Sequence, residues 1–145
     1  MPNSKWAQFK SNLPDDQIED GHRIIRFGGL NVAEAVAETV ASMGFVVKGP
    51  LEAGLNGWEL YPIKDTLKVW IQISGLGDFF LLAVSELKTF RSIQRRQWFV
   101  QEFTLPFNEA LRRNPALFDI AWVDPNDAPD GKGAYSPDDP SVPER

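Results

Sequence analysis

The stretch Leu67–Val84, LKVWIQISGLGDFFLLAV, decides the fold because its pattern is that of a β-hairpin. Residues 67–74 alternate apolar and polar side chains, as in a strand with one buried face. Gly75-Leu76-Gly77 is the predicted loop, since glycine accepts the positive φ angles that hairpin turns need. Residues 79–84 are apolar and form the predicted return strand. The hairpin is therefore expected at the centre of an antiparallel sheet.

The register of this hairpin puts apolar side chains on both faces of the sheet. With the loop at residues 75–77, Gln72 faces Phe80 and Trp70 faces Leu82, so Trp70, Phe80 and Leu82 share one side. A loop that is one residue shorter moves Phe80 and Leu82 to the other side and still leaves both faces apolar. A sheet of this kind must be covered on both faces. Helices are expected on one face only, so the other face calls for a further cover.

A helix is predicted before the hairpin, over residues 32–43. Its apolar residues recur with helical spacing, and Asn31 is the predicted N-cap because its side-chain oxygen can accept a free backbone N–H. Gly44 is placed to end the helix in the left-handed conformation. Short apolar runs predict the remaining strands of the sheet, which lie at residues 22–27, 45–48, 58–63 and 117–123.

A second helical region is predicted after the hairpin, over residues 86–113. Pro106 cannot sit inside a regular helix, which predicts either a kink or a second helix starting near residues 104–106. An extended conformation of residues 97–105 is the alternative.

The element order β-α-β-β-β-β-α-β predicts an α+β domain with a mostly antiparallel sheet of five to six strands and helices packed on one face. The long helical region before the last strand leaves room for that strand to return parallel to a neighbour.

Residues 1–20 are predicted to form an N-terminal arm in front of a single domain over residues 21–123. Trp6, Phe9 and Leu13 fit one face of a short helical turn that Pro14 would end. The arm, the irregular segment at residues 49–57 or a partner protein is expected to cover the second face of the sheet.

Residues 124–145 are predicted to form an acidic, proline-rich, flexible tail. They contain five prolines, six acidic residues and two basic residues, a composition that buries too little apolar surface to offset the entropy of ordering. We therefore expect the domain to fold without this tail. Residues 21–123 are nearly neutral, with 11 basic and 10 acidic residues, although the whole chain of 145 residues has a net charge of −5.

This composition argues against several classes of function. The chain has no cysteine and one histidine, so thiolate metal sites and paired imidazoles are excluded, and we expect no metal, no cofactor and no catalytic residues. The acidic charge disfavours phosphate-directed binding of nucleic acid. The longest purely apolar run, residues 79–84, is too short to span a membrane, and no signal-peptide core follows Met1. A cytoplasmic protein is expected.

One weak small-ligand site is predicted at the turn between the first strand and the helix. Gly28 and Gly29 precede the helix, where free backbone N–H groups can hold an anion, and Arg23 and Arg26 lie close by in sequence. The turn matches neither of the common phosphate-binding motifs. A small-ligand or anion-binding domain is therefore an alternative function.

The main functional prediction is a non-enzymatic protein-binding module. A sheet with apolar side chains on both faces, in a chain without evident catalytic residues, is typical of binding proteins. Bacterial immunity proteins that neutralise a cognate toxin share this general profile. A homodimeric structural or adaptor protein is the remaining alternative. Trp70 is the predicted anchor of the binding surface, with little role in the fold itself. The predicted partner-binding residues are Trp58, Tyr61, Lys68, Trp70, Gln72 and Phe80.

Overall fold

The computed structural model describes residues 4–26, 28–54, 57–88 and 92–128, and all structure reported below lies in these ranges. The strands in them are Lys5–Ser11 (β1), Ile18–Asp20 (β2), Arg23–Arg26 (β3), Val46–Glu52 (β4), Gly57–Lys64 (β5), Leu67–Gly75 (β6), Phe80–Glu86 (β7) and Leu117–Val123 (β8). The helices are Leu30–Ala41 (α1), Ile93–Phe99 (α2) and Leu105–Arg113 (α3). A π-helical segment, Val100–Thr104, joins α2 to α3, and a 3₁₀ turn, Pro125–Asp127, follows β8.

Six of these strands form one sheet in the order β4-β5-β6-β7-β1-β8. All its pairings are antiparallel, including that of β8 with β1, so the last strand does not return parallel to its neighbour. The helices pack on one face of the sheet. The predicted α+β fold class is thus confirmed.

The first strand of the sheet, β1, replaces the helical turn predicted for the N-terminal arm. Its residues alternate between more and less buried positions, which is a period of two and not the helical period. Phe9 points to the helix-covered face and stacks on Phe80, with 5.4 Å between ring centroids. Because β7 and β8 supply hydrogen bonds on both sides of β1, tertiary pairing overrides the local helical spacing.

The strand predicted at residues 22–27 exists in part but lies outside the main sheet. Arg23–Arg26 pairs with Ile18–Asp20 in a separate two-stranded ribbon, and Gly21 makes the turn with φ +62°. Phe27 lies outside the described residues. The sheet instead contains β1, which the sequence analysis did not predict as a strand.

The central hairpin is present, with a register that differs from the first of the two alternatives. Gly75 pairs with Phe80 and Trp70 with Ser85, so neither Gln72 with Phe80 nor Trp70 with Leu82 is correct. The loop extends to Phe79, whose carbonyl accepts the Leu76 N–H at 2.9 Å. Leu82 therefore points to the helix-covered face, which is the side given by the second alternative, but the loop of residues 76–79 is longer than in either alternative.

The core lies between the sheet and the helices. The predicted stripe of α1 is confirmed, since Val32, Val36 and Val40 are fully buried against the sheet. Pro106 is the second residue of α3, as predicted, and the chain adjusts to it through the π-helical segment. Phe103 in that segment has aromatic neighbours on three sides: Phe45, Phe99 and Phe107, at centroid distances of 5.2, 5.5 and 5.2 Å.

Candidate interaction surface

The face of the sheet opposite the helices, called here the helix-free face, has an exposed apolar region at its β4–β5 side. Val46 is 77% exposed, Leu51 43% and Ile63 40%. The three share one face because Val46 pairs with Ile63, and Leu51 with Glu59, which lies four residues before Ile63 on β5. The exposed Lys48 and Lys68 flank this region. It is an apolar patch with a basic rim.

Sequence reasoning placed Val46 and Ile63 in strands but did not assign them to this surface, and it missed Leu51 because it ended β4 at Lys48. The strand continues through a bulge at Gly49 and Pro50 to Glu52, and the extra residue brings Leu51 to the same face as Val46. The spacing of Val46 and Lys48, which are two residues apart in the predicted strand, was the sequence pattern that could have placed Val46 on this face. The bulge could not be predicted from the sequence, because Gly49-Pro50 is equally typical of the end of a strand.

Trp70 lies on the helix-free face, as the alternation predicts, but only 6% of it is exposed. It stands between Tyr61 on β5 and Ser85 on β7. Its indole lies beside the Tyr61 side chain and has a lowering effect on the pKa of that hydroxyl, smaller than the raising effect of Glu59. Little of the side chain is accessible to a partner, so we expect Trp70 to support the fold of this face.

Two residues assigned to the same surface lie on the opposite face of the sheet. Trp58 pairs with Ile73, which points to the helices, and its indole N–H donates to the Gly28 carbonyl at 2.9 Å. Phe80 points to the helices as well and stacks on Phe9. The prediction for Trp58 and Phe80 is wrong because strand parity, which depends on loop length, decides the face.

The remaining predicted contact residues stay on the helix-free face. Lys68 is exposed, and Gln72 and Tyr61 are partly exposed. Lys68 pairs with Ile63, and Gln72 with Glu59, so the two side chains lie in successive rows beside the exposed patch. Whether they contact a partner remains a prediction.

A polar pair marks the boundary of the exposed patch. The Tyr61 hydroxyl donates a short hydrogen bond to Glu59 Oε2. This bond, with burial and the negative charge of Glu59, raises the pKa of Tyr61 above its ordinary value of 10.0. The hydrogen bond to Glu59 holds the ring of Tyr61 in place beside Trp70.

Glu59→Gln is expected to lower the pKa of Tyr61, because the substitution removes the charge that opposes ionisation. The folded state holds this proton more tightly than the unfolded chain, so the contribution of Tyr61 to stability is fully present below pH 10 and is lost as the pH rises through the folded-state pKa. Tyrosinate absorbance measures the midpoint. A Tyr135→Phe background leaves Tyr61 as the one tyrosine. An unchanged midpoint in Glu59→Gln would contradict the assignment.

The turn proposed to hold an anion already carries a carboxylate of the chain itself. Asp16 accepts the backbone N–H groups of Leu30 at 3.2 Å and Asn31 at 2.8 Å. An external phosphate would have to displace it. Of the arginines, Arg23 is exposed, and the Arg26 side chain lies outside the described part of the structure. Anion binding therefore gains no support from this geometry.

The same turn corrects the predicted helix cap. Gly29 is the N-cap, with φ +89°, and α1 begins at Leu30. The Asn31 side chain instead donates to the Pro14 carbonyl at 3.2 Å. A Cβ at Gly28 would meet the Asp15 carboxylate, so a larger residue there would require that side chain to move. The capping group is supplied from 14 residues upstream, which no local motif could indicate.

Asp16→Ala is expected to lower the free energy of unfolding by about 0.5–2 kcal/mol, the usual cost of removing a helix-capping side chain. Two N–H groups at the start of α1 lose their partner. Chemical denaturation followed by circular dichroism measures the change. Asp20→Ala, in the exposed ribbon, is the matched control and should leave stability unchanged. Equal effects of the two substitutions would argue against the capping role.

The chain was compared with protein-family models, curated proteins and solved structures, and none of the three comparisons found a match. Within the described ranges, no three acidic or histidine side chains come together as metal ligands. Among the helices described above, none has the length and apolar character needed to cross a membrane.

Proposed function

We propose that the protein is a non-enzymatic protein-binding module whose contact surface is the β4–β5 side of the helix-free face. The observation that carries this proposal is the gathering of Val46, Leu51 and Ile63, all exposed, on the face that carries no described helix. Apolar side chains grouped at one edge of a sheet are typical of an interaction site.

The charges around the patch support a protein partner. Lys48 and Lys68 form part of its rim, whereas Glu59, which pairs with Leu51 on the same face, is engaged by the Tyr61 hydroxyl. Two lysines are too few for a phosphate-directed nucleic-acid surface on a chain of net charge −5. They suit a partner with carboxylates at the rim and apolar side chains at the centre.

A finer form of the proposal is an immunity-type inhibitor that binds and neutralises a bacterial toxin in the cytoplasm. Its support is the general profile of a small acidic α+β domain with a binding face. Co-expression with a toxin encoded beside it tests this form. Growth rescue that Ile63→Asp abolishes would favour the immunity function over a general adaptor.

The binding surface itself is tested by affinity capture from native lysate with the full chain and two face variants, Val46→Asp and Ile63→Asp. Both positions are exposed, so the fold should tolerate a charge there. Loss of a captured partner by both variants is the expected result.

Ile93→Asp on α2 and Ile24→Asp on the ribbon are matched controls, because both isoleucines are exposed and lie away from the patch. They should retain the partner. Capture that survives both face variants, or that the controls abolish equally, would overturn the choice of surface.

A further inference from the structure

The junction between α2 and α3 has two features that an unbroken α-helix lacks. Residues 100–104 form a π-helical turn, in which the Leu105 N–H donates to the Val100 carbonyl, five residues back. The Thr104 hydroxyl is buried in this turn and has no hydrogen-bond partner in the described part of the structure. Such turns are uncommon and a buried hydroxyl without a partner is costly, so contacts elsewhere in the fold must hold this geometry.

An ion pair fixes the rotation of α2 about its axis. Arg95 binds Glu86 at the end of β7 through two hydrogen bonds, from Nε to Oε1 at 3.0 Å and from Nη2 to Oε2 at 2.5 Å. The Glu86 side chain is only 1% exposed, so its carboxylate needs a cationic partner. The Arg95 guanidinium also stacks on the Trp98 ring.

The sequence of α2 offers the same contacts a second time, one residue later. Arg95-Arg96 and Trp98-Phe99 are tandem pairs, so Arg96 stands three residues before Phe99 as Arg95 stands three residues before Trp98. A π-turn holds one residue more than an α-turn. If residues 100–104 became α-helical while α3 stayed in place, α2 would turn by roughly 100°, the angle of one residue in an α-helix. Each residue of α2 would then take the place of the residue before it.

We propose that α2 exchanges between two registers, in which Glu86 pairs with Arg95 or with Arg96. The described structure is the first register. In the second, Arg96 takes the place of Arg95, and the Thr104 hydroxyl donates to the Val100 carbonyl, four residues back, as threonine does in α-helices. Both registers keep the ion pair, and the second one also gives the buried hydroxyl a partner. Helix register shifts of this kind occur in microseconds to milliseconds.

Packing explains why the first register is the one observed. Phe99 is buried, and in the second register the smaller Val100 would take its place and fill less of the space. Phe103 moves less than α2, because the rotation accumulates toward the start of the π-helical turn. The shift carries Trp98 to the exposed position of Gln97. The exchange therefore alters the surface that α2 presents, and it is independent of the proposed function.

Two matched substitutions in the full chain test the proposal. Arg95→Gln should select the second register, because Arg96 is then the remaining arginine of the tandem pair. Arg96→Gln should keep the first register. NMR spectroscopy reads the register from the nuclear Overhauser effect between the Val100 Hα and the Leu105 amide proton, which marks the π-turn. This signal should be present in Arg96→Gln and lost in Arg95→Gln.

Thr104→Val adds an independent measurement of stability. In the Arg96→Gln chain it should raise the urea midpoint of unfolding, since it replaces an unpartnered buried hydroxyl with a methyl group. In the Arg95→Gln chain it should lower the midpoint, since the hydroxyl donates to Val100 there. Arg95→Gln combined with Arg96→Gln removes both pairings of Glu86 and should lower the midpoint by more than the sum of the two single changes.

Three results would overturn the proposal. The first is an Arg95→Gln chain that keeps the Val100–Leu105 signal or fails to fold, since Arg96 would then not replace Arg95. The second is a Thr104→Val effect of the same sign in both backgrounds. The third is additivity of the two arginine substitutions, which is the expectation for adjacent helical residues that do not share a partner.

Discussion

Trp70→Ala is expected to lower the free energy of unfolding by about 3–5 kcal/mol, the usual range for truncating a buried aromatic residue. The substitution empties the space between Tyr61 and Ser85. This forecast reverses the expectation from the sequence, which gave Trp70 little role in the fold. Urea denaturation followed by circular dichroism measures the change.

Trp98→Ala is the matched control for Trp70→Ala. Trp98 is 39% exposed on α2, where the Arg95 guanidinium stacks on its ring at 3.9 Å from the centroid. Its removal leaves no buried cavity, so the loss of stability should be much smaller. Similar losses for the two tryptophans would show that the burial of Trp70 contributes little, and Trp70 would then return as a candidate contact residue.

Phe103→Ala is expected to cost a similar amount, about 3–5 kcal/mol, from the other face of the sheet. Phe103 is fully buried and contacts three aromatic rings, so truncation leaves a cavity in the centre of the helix layer. Its position in the π-helical segment limits how far the backbone can move to fill the space. Thermal and urea unfolding measure the loss.

Phe118→Ala on β8 is the control of the same residue type. Phe118 is largely exposed, so its truncation opens no cavity and should change stability little. If Phe118→Ala destabilised the protein as much as Phe103→Ala, the helix layer would not be the main core.

The parts of the fold that follow a clear period were predictable from the sequence. The alternation of residues 67–74 and the helical spacing of Val32, Val36 and Val40 each match the structure. The N-terminal strand was not predictable in this way, because Trp6 and Phe9 fit helical spacing while Lys5–Ser11 also fits alternation. Pairing with two distant strands decides between them, and a local pattern carries no information on distant partners.

The face on which a candidate residue lies was predictable only where the alternation within a single strand decides it. Alternation within one strand put Trp70 on the side away from Ile71, and this is correct. The sides of Phe80 and Trp58 depend on loop lengths, which the glycines of the loops do not fix. Alternation also carries no information on exposure, since Trp70 and Val46 lie on the same face and Trp70 is buried whereas Val46 is exposed.

The position of β1 between β7 and β8 has a consequence for how the chain folds. Lys5 pairs with Val84 and Trp6 with Val123, so β1 finds its two partners only after β7 and β8, which lie far along the chain, have been synthesised. Until then, β7 and β1 both present unpaired edges. Contacts at such sequence separation raise the contact order and place folding in the slower millisecond-to-second range. The nascent chain is therefore most open to aggregation just before β8 emerges.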